Sequence, residues 1–152
     1  FVDMRDDAHH WEHSLEVQLP FLQEVLGAFA VLPIAVGHAS PTQVGEVLEA
    51  LWGGDETLIV VSSDLSHYLD YDTARRMDAT TASAIESLEF KRIASEDACG
   101  RIGIQGLLMA ARRHRLVATT LDLQSSGDTA GGRDEVVGYG AWELTVARNG
   151  SP

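Results

Sequence analysis

Apolar positions change their period along the chain, and the changes mark its elements. Leu15, Leu19, Leu22 and Leu26 recur at spacings of four, three and four, the signature of one helical face. Ser14 is placed to cap that helix and Gly27 to stop it. Pro20 lies beyond the first turn of a helix starting there, so the pattern predicts a kink or a later start. Residues 28–37 are apolar with β-branched members and predict a buried strand, with an edge or bulge near Pro33. Ser40-Pro41 pairs a cap with a proline at the first helical position. The helix it opens buries Val44, Val47, Leu48 and Leu51 and ends at Gly53-Gly54. A predicted strand over 57–63 follows, whose apolar run Leu58 to Val61 stops abruptly at Ser62-Ser63-Asp64. Strand, helix and strand with short connections predict a βαβ unit with a right-handed crossover.

Tyr68 to Tyr71 reads as a loop and Asp72 as the opening of a helix lined by Met77, Thr80, Thr81, Ala84, Ile85 and Leu88. Arg75 and Arg76 sit near the positive end of that helix dipole, where Asp78 is the local acidic answer. A helix over 102–114 faces Ile104, Leu107, Leu108 and Ala111 inward, and Gly103 and Gly106 predict close approach to a neighbour or ligand. Residues 116–123 alternate partly and 136–146 form another apolar run, so the two predict antiparallel strands. The glycine-rich connection between them lacks a phosphate-loop lysine and reads as a flexible rim loop. The last residues read as a disordered tail. Neither an internal repeat nor a low-complexity segment interrupts this α/β pattern.

Composition narrows the class. The chain has 152 residues, 45% of them hydrophobic, enough for one core and a single domain over 1–152. Eleven basic against 23 acidic residues give a net charge of −12, which argues against a nucleic-acid surface and against anionic membranes. No apolar run approaches the roughly 18 residues of a membrane span. The acidic amino end has no signal-peptide pattern, so a cytoplasmic location is expected. One cysteine excludes an internal disulfide. Phe1 in place of an initiating methionine predicts a chain trimmed or cut from something longer.

Candidate chemistry gathers where the strand over 57–63 ends, since ligands of open α/β sheets sit beyond the carboxyl ends of strands. Asp64 and His67, three residues apart, fall there. A carboxylate and an imidazole together can bind a metal or move a proton; the local alternatives are a turn cap and an ordinary loop histidine. His9, His10 and His13 form a histidine-rich tract of the kind that binds metal. His38 ends the strand over 28–37, either bonded to backbone or facing the side of Asp64. Cys99 stands just ahead of a helix amino terminus, where the helix field favours the thiolate. Core thiol, reactive thiol and metal ligand all remain open for it.

Four segments in order resemble one family. They are Glu12-His13-Ser14-Leu15-Glu16-Val17-Gln18-Leu19-Pro20-Phe21-Leu22, Ser62-Ser63-Asp64-Leu65-Ser66-His67, Cys99-Gly100 with Gly103-Ile104 and Gly106-Leu107-Leu108, and Ser125-Ser126-Gly127-Asp128 with Val137-Gly138-Tyr139-Gly140-Ala141. Together they resemble the Memo-like proteins, called AmmeMemoRadiSam system protein B in bacteria and archaea. The resemblance implies a three-layer α/β sandwich with a mixed, largely parallel central sheet flanked by helices, similar to class III extradiol dioxygenases. It implies a non-haem Fe(II) site, with copper and zinc also suited to the donors, in which Cys99 is the cysteine ligand and Asp64 and His67 face the metal. His67 corresponds to the acid–base histidine of the dioxygenases, with Asp64 orienting it, and Glu12 and His13 look like pocket residues. The implied roles are an oxygenase-like metalloenzyme or a non-enzymatic protein binding metal, a small molecule or a peptide, and the plain alternative is a structural half whose site no longer functions. A radical-SAM enzyme and an Ammecr-type protein are the implied partners. The family's two histidine ligands lie in Pro-His-Ala-Gly and Ser-His-His segments, and neither segment occurs here. The chain therefore looks like a carboxy-terminal half, with an incomplete Fe(II) site.

Overall fold

The computed structural model describes residues 1–129 and 131–147. The expected tail falls on residues 148–152 and lies outside them. Two short helices come first, α1 (Leu19–Val25) and α2 (Pro41–Ala50). The three-residue strand β1 (His67–Leu69), helices α3 (Tyr71–Glu86) and α4 (Arg101–Arg113), and strands β2 (Leu116–Ser125) and β3 (Val136–Val146) follow.

Local chemistry sets most of these boundaries. Pro20 occupies the first turn of α1, so the later start is the observed outcome, with Gln18 as the cap. Ser40 caps α2 reciprocally: its Oγ accepts the Gln43 N–H, and its own N–H is accepted by the Gln43 side chain at 2.9 Å. α3 begins one residue before Asp72, because the Asp70 carboxylate accepts the Thr73 N–H at 3.0 Å and caps the helix. Hydrogen bonding from Thr73, its side chain first and its backbone N–H second, holds the Asp70 carboxyl below its usual pKa.

The sheet has the order β1-β3-β2, and both pairings are antiparallel. β2 and β3 pair from Leu116↔Val146 to Ser125↔Gly138, with a shift between Thr120 and Asp122. That bulge explains the partial alternation of β2: exposed and half-buried residues alternate to Thr120, then Leu121 and Asp122 are both exposed before the rhythm resumes. Leu65, Ala84, Ile85, Ile93, Ala98, Ile104 and Leu108 form the core, with Ala118, Leu123, Trp142 and Leu144 of the sheet against it. Gly103 and Gly106 are close-approach positions. A Cβ at Gly106 would stand 2.5 Å from Val44 Cγ1 on α2, and one at Gly103 would stand 3.3 Å from Val61 Cγ1.

Three expectations need correction. Residues 28–37 and 57–63 belong to no ladder, so neither the parallel sheet nor the βαβ crossover forms among the described residues. A strand exists only with a neighbour to take its N–H and C=O groups, and no described segment pairs with either one in a ladder. Part of the loop expected over 68–71 is strand β1, in which Tyr68 adopts a left-handed φ of 57° where the register slips. Asp78 does not answer Arg75 and Arg76: it is buried, while Arg76 donates to Thr73 and Arg75 lies over the Tyr71 ring. Among the described residues no helix is long and apolar enough to cross a membrane.

Candidate metal centre

Two chain segments meet at the site. The segment 61–66 runs across α4, with Val61 against Gly103, and continues into β1. Its far end is fixed by β3: the Leu65 N–H donates to the Gly138 carbonyl at 2.9 Å, and the Gly138 N–H donates to the Ser66 carbonyl at 2.8 Å. Asp78 of α3 holds it from the other side, accepting the buried Ser66 N–H at 3.1 Å. A side chain at Gly138 would run into that carboxylate, so glycine is what lets strand and carboxylate close together. Burial raises the pKa of the Asp78 carboxyl, against the lowering effect of its hydrogen bonding to Ser66.

The second segment is the turn ahead of α4. Gly100 caps α4 and its N–H donates to Ser63 Oγ at 2.8 Å, which brings Cys99 over the first segment. The Cys99 sulfur lies 3.7 Å from Ser63 Oγ and 3.8 Å from the Asp64 carbonyl oxygen. His67 Nε2 stands 3.5 Å from Asp64 Oδ2, both side chains being partly exposed. One ligand atom each from Asp64, His67 and Cys99 thus falls within 4.8 Å of the others, a group of the size that can hold an ion.

The geometry suits the donor chemistry. Two ligands on a tetrahedral ion, with bonds of about 2.0–2.3 Å, stand about 3.5 Å apart. His67 Nε2 and Asp64 Oδ2 already stand at that separation, and one ligand atom from each of the three residues lies within 4.8 Å of the others. A thiolate, an imidazole and a carboxylate form a mixed set that suits iron, zinc or copper. Cys99 is exposed, so the group has an open side.

The other sequence candidates lie elsewhere. Glu12 accepts the Ser14 N–H at 2.8 Å, a contact that lowers its pKa, and His13 Nδ1 lies 2.7 Å from Glu16. Both are exposed, and neither adds a ligand atom to the cluster. The link from their segment to the site is Gln18, which donates to Ser62 Oγ at 3.0 Å. His9, His10 and His38 are likewise outside the cluster. Sequence reasoning missed Ser63, Asp78 and Gly138. Ser63 and Gly138 stand inside the recognised motifs, and Asp78 is a charge three residues before Thr81 on the inward face of α3.

The model of the family described as Memo-like protein matches residues 1–143. A protein named "MEMO1 family protein" from Metallosphaera sedula is 31% identical over 150 residues, covering 91% of this chain and 53% of its own. Proteins of the same name from Methanococcoides burtonii and Thermotoga neapolitana are 36% and 37% identical, over 92% and 87% of this chain and 58% and 50% of theirs. The chain spans about half the length of the curated relatives it matches. With the family model matched over most of its length, the chain belongs to the Memo-like family.

Proposed function

We propose that this chain supplies the thiolate wall of a metal site in a dioxygenase-like pocket, with Cys99 as ligand and Asp64 and His67 facing the ion. The reading rests on one observation, the convergence of a sulfur, an imidazole nitrogen and a carboxylate oxygen within 4.8 Å from two separate chain segments. Fe(II) is the proposed ion, with zinc or copper as the alternatives the donors allow. Bound there, it supplies a Lewis acid and, as iron or copper, a redox centre. The residues do the rest. Cys99 holds the ion on the open side. Asp64 orients the His67 ring through Nε2, leaving Nδ1 as the atom that takes or returns a substrate proton.

The finer fold belongs to the same proposal. Phe29, Val31, Leu32, Ile34, Val36, Leu58 and Val60 are exposed in the two unpaired segments. We read these segments as strands of a dioxygenase-like sheet whose neighbours lie in the part of the relatives that this chain does not span. Remaining metal ligands would come from that part too.

The test is Fe(II) bound at equilibrium in an anaerobic titration, compared between the unaltered chain and Cys99→Ala. Loss of bound iron in the variant is expected, and equal iron in both would overturn the assignment. A non-enzymatic reading, binding metal or a peptide without turnover, is favoured by the exposure of Glu12 and His13 away from the cluster. Oxygen consumption by the loaded protein separates the two.

A further inference from the structure

We infer that Ser63 is the positioning residue for the metal-binding sulfur, its hydroxyl donating to Cys99 Sγ once that sulfur carries a metal. The inference rests on the metal reading above and assigns a role to a residue outside the ligand set. A serine hydroxyl has one proton to give and two lone pairs to receive. The Ser63 proton now goes to the Asp64 carbonyl at 2.7 Å, and one lone pair receives the Gly100 N–H at 2.8 Å. The sulfur at 3.7 Å is the remaining neighbour. As a thiol, Cys99 has a proton of its own to share, with Ser63 Oγ and the Asp64 carbonyl both in reach.

Metal binding changes the count of donors. As the metal–sulfur bond forms, the thiol proton leaves to solvent and the sulfur becomes an acceptor. Rotation about the Ser63 Cβ–Oγ bond then carries the hydroxyl proton from the Asp64 carbonyl to the sulfur without moving a heavy atom. Such a hydrogen bond withdraws charge from the thiolate and tunes its strength as a ligand. The site is built for this closeness. A Cβ at Gly100 would lie 2.7 Å from Ser63 Cβ and 2.8 Å from Ser63 Oγ, so any larger residue at 100 pushes the hydroxyl away. Gly100 has a φ of −88°, which every residue adopts, so the need for glycine there is one of space alone.

The experiment titrates the chain with cobalt(II) alone and follows the sulfur-to-cobalt charge-transfer absorption. It compares the unaltered protein with Ser63→Ala, Gly100→Ala and Cys99→Ala, with far-ultraviolet circular dichroism to establish folding. The expected result is a band that Cys99→Ala abolishes and Ser63→Ala moves to lower energy, the sulfur having lost the hydrogen bond that withdraws its charge. Gly100→Ala, which keeps the hydroxyl but displaces it, should move the band the same way and carries the test if Ser63→Ala does not fold. A band lost in Cys99→Ala but unmoved in both other variants would overturn the role of Ser63 and leave the metal reading standing. A band absent throughout, or unchanged in Cys99→Ala, would overturn the metal reading and this inference with it.

Discussion

Replacing Asp78 separates two effects that the fold sets against each other. Asp78 is 2% exposed as a residue, and its carboxylate accepts the Ser66 N–H, which has no other acceptor among the described residues. Asp78→Ala leaves that buried N–H unpaired, at a cost of about 1–3 kcal/mol. Asp78→Asn keeps an acceptor oxygen and removes the charge. Burial raises the folded-state pKa of Asp78, so the folded chain holds its proton more tightly than the unfolded chain does. Stability therefore falls as pH rises from the ordinary aspartate pKa through the raised one, and the full penalty is present above both. The amide escapes that penalty. Urea unfolding followed by tryptophan fluorescence should show Asp78→Ala destabilised at neutral pH and Asp78→Asn equal to, or more stable than, the unaltered chain. The stability gap between Asp78→Asn and the unaltered protein should shrink as pH falls below the folded-state pKa. If the amide costs as much as the alanine, the charge is needed at this position and burial is not the dominant effect. If neither variant costs anything, Ser66 is held by β3 alone.

The contact of α2 with α4 gives a steric contrast: Gly106→Ala must displace Val44 and should cost about 1–3 kcal/mol, read as a fall of several degrees in Tm. Gly103→Ala needs Val61 to give only a few tenths of an ångström and should cost clearly less in the same melt. Ser40→Ala removes the hydroxyl half of the α2 capping box, leaving the backbone N–H of residue 40 to donate to Gln43, and should lower stability by about 1 kcal/mol in urea unfolding, with a glycine at the same position costing less.

How legible each feature was depended on how local its cause is. The Ser40 cap, the later start forced by Pro20 and the β2–β3 pairing depend on neighbours a few residues away or on one alternating rhythm. β1 has only three residues, and Tyr68 in its middle takes a left-handed φ, so no alternation marks it. Helix neighbours are visible in sequence, so Asp78 reads there as the answer to the arginines beside it. Its partner Ser66 lies twelve residues earlier on another element. Ser63 was hidden for the same reason, since the Gly100 N–H and the Cys99 sulfur reach it from 37 and 36 residues away. Asp64, His67 and Cys99 are legible as a group through the order of whole motifs, because no spacing in the chain connects residue 64 with residue 99.

Residues 28–37 and 57–63 show what a hydrophobic pattern encodes and what it leaves out. Composition there asks for burial, and the chain as folded does not provide it: seven large apolar side chains in the two segments remain exposed. Burying each fully would contribute about 1.5–3 kcal/mol, on the order of 10 kcal/mol together, comparable to the whole stability of a domain. A surface loop under no other constraint would not carry that many apolar residues in two runs. α3, α4, β2 and β3, by contrast, close a core of their own. The apolar pattern of the first half is therefore written for a neighbour that the described residues do not provide. The site sits on the boundary between these regions: Asp64 ends the unpaired segment, while Cys99 and His67 belong to the part that closes. In the proposed reading, a neighbour that covers the run from Leu58 to Val61 therefore stands within a few residues of Asp64, so the completed sheet and the completed metal shell would share that boundary.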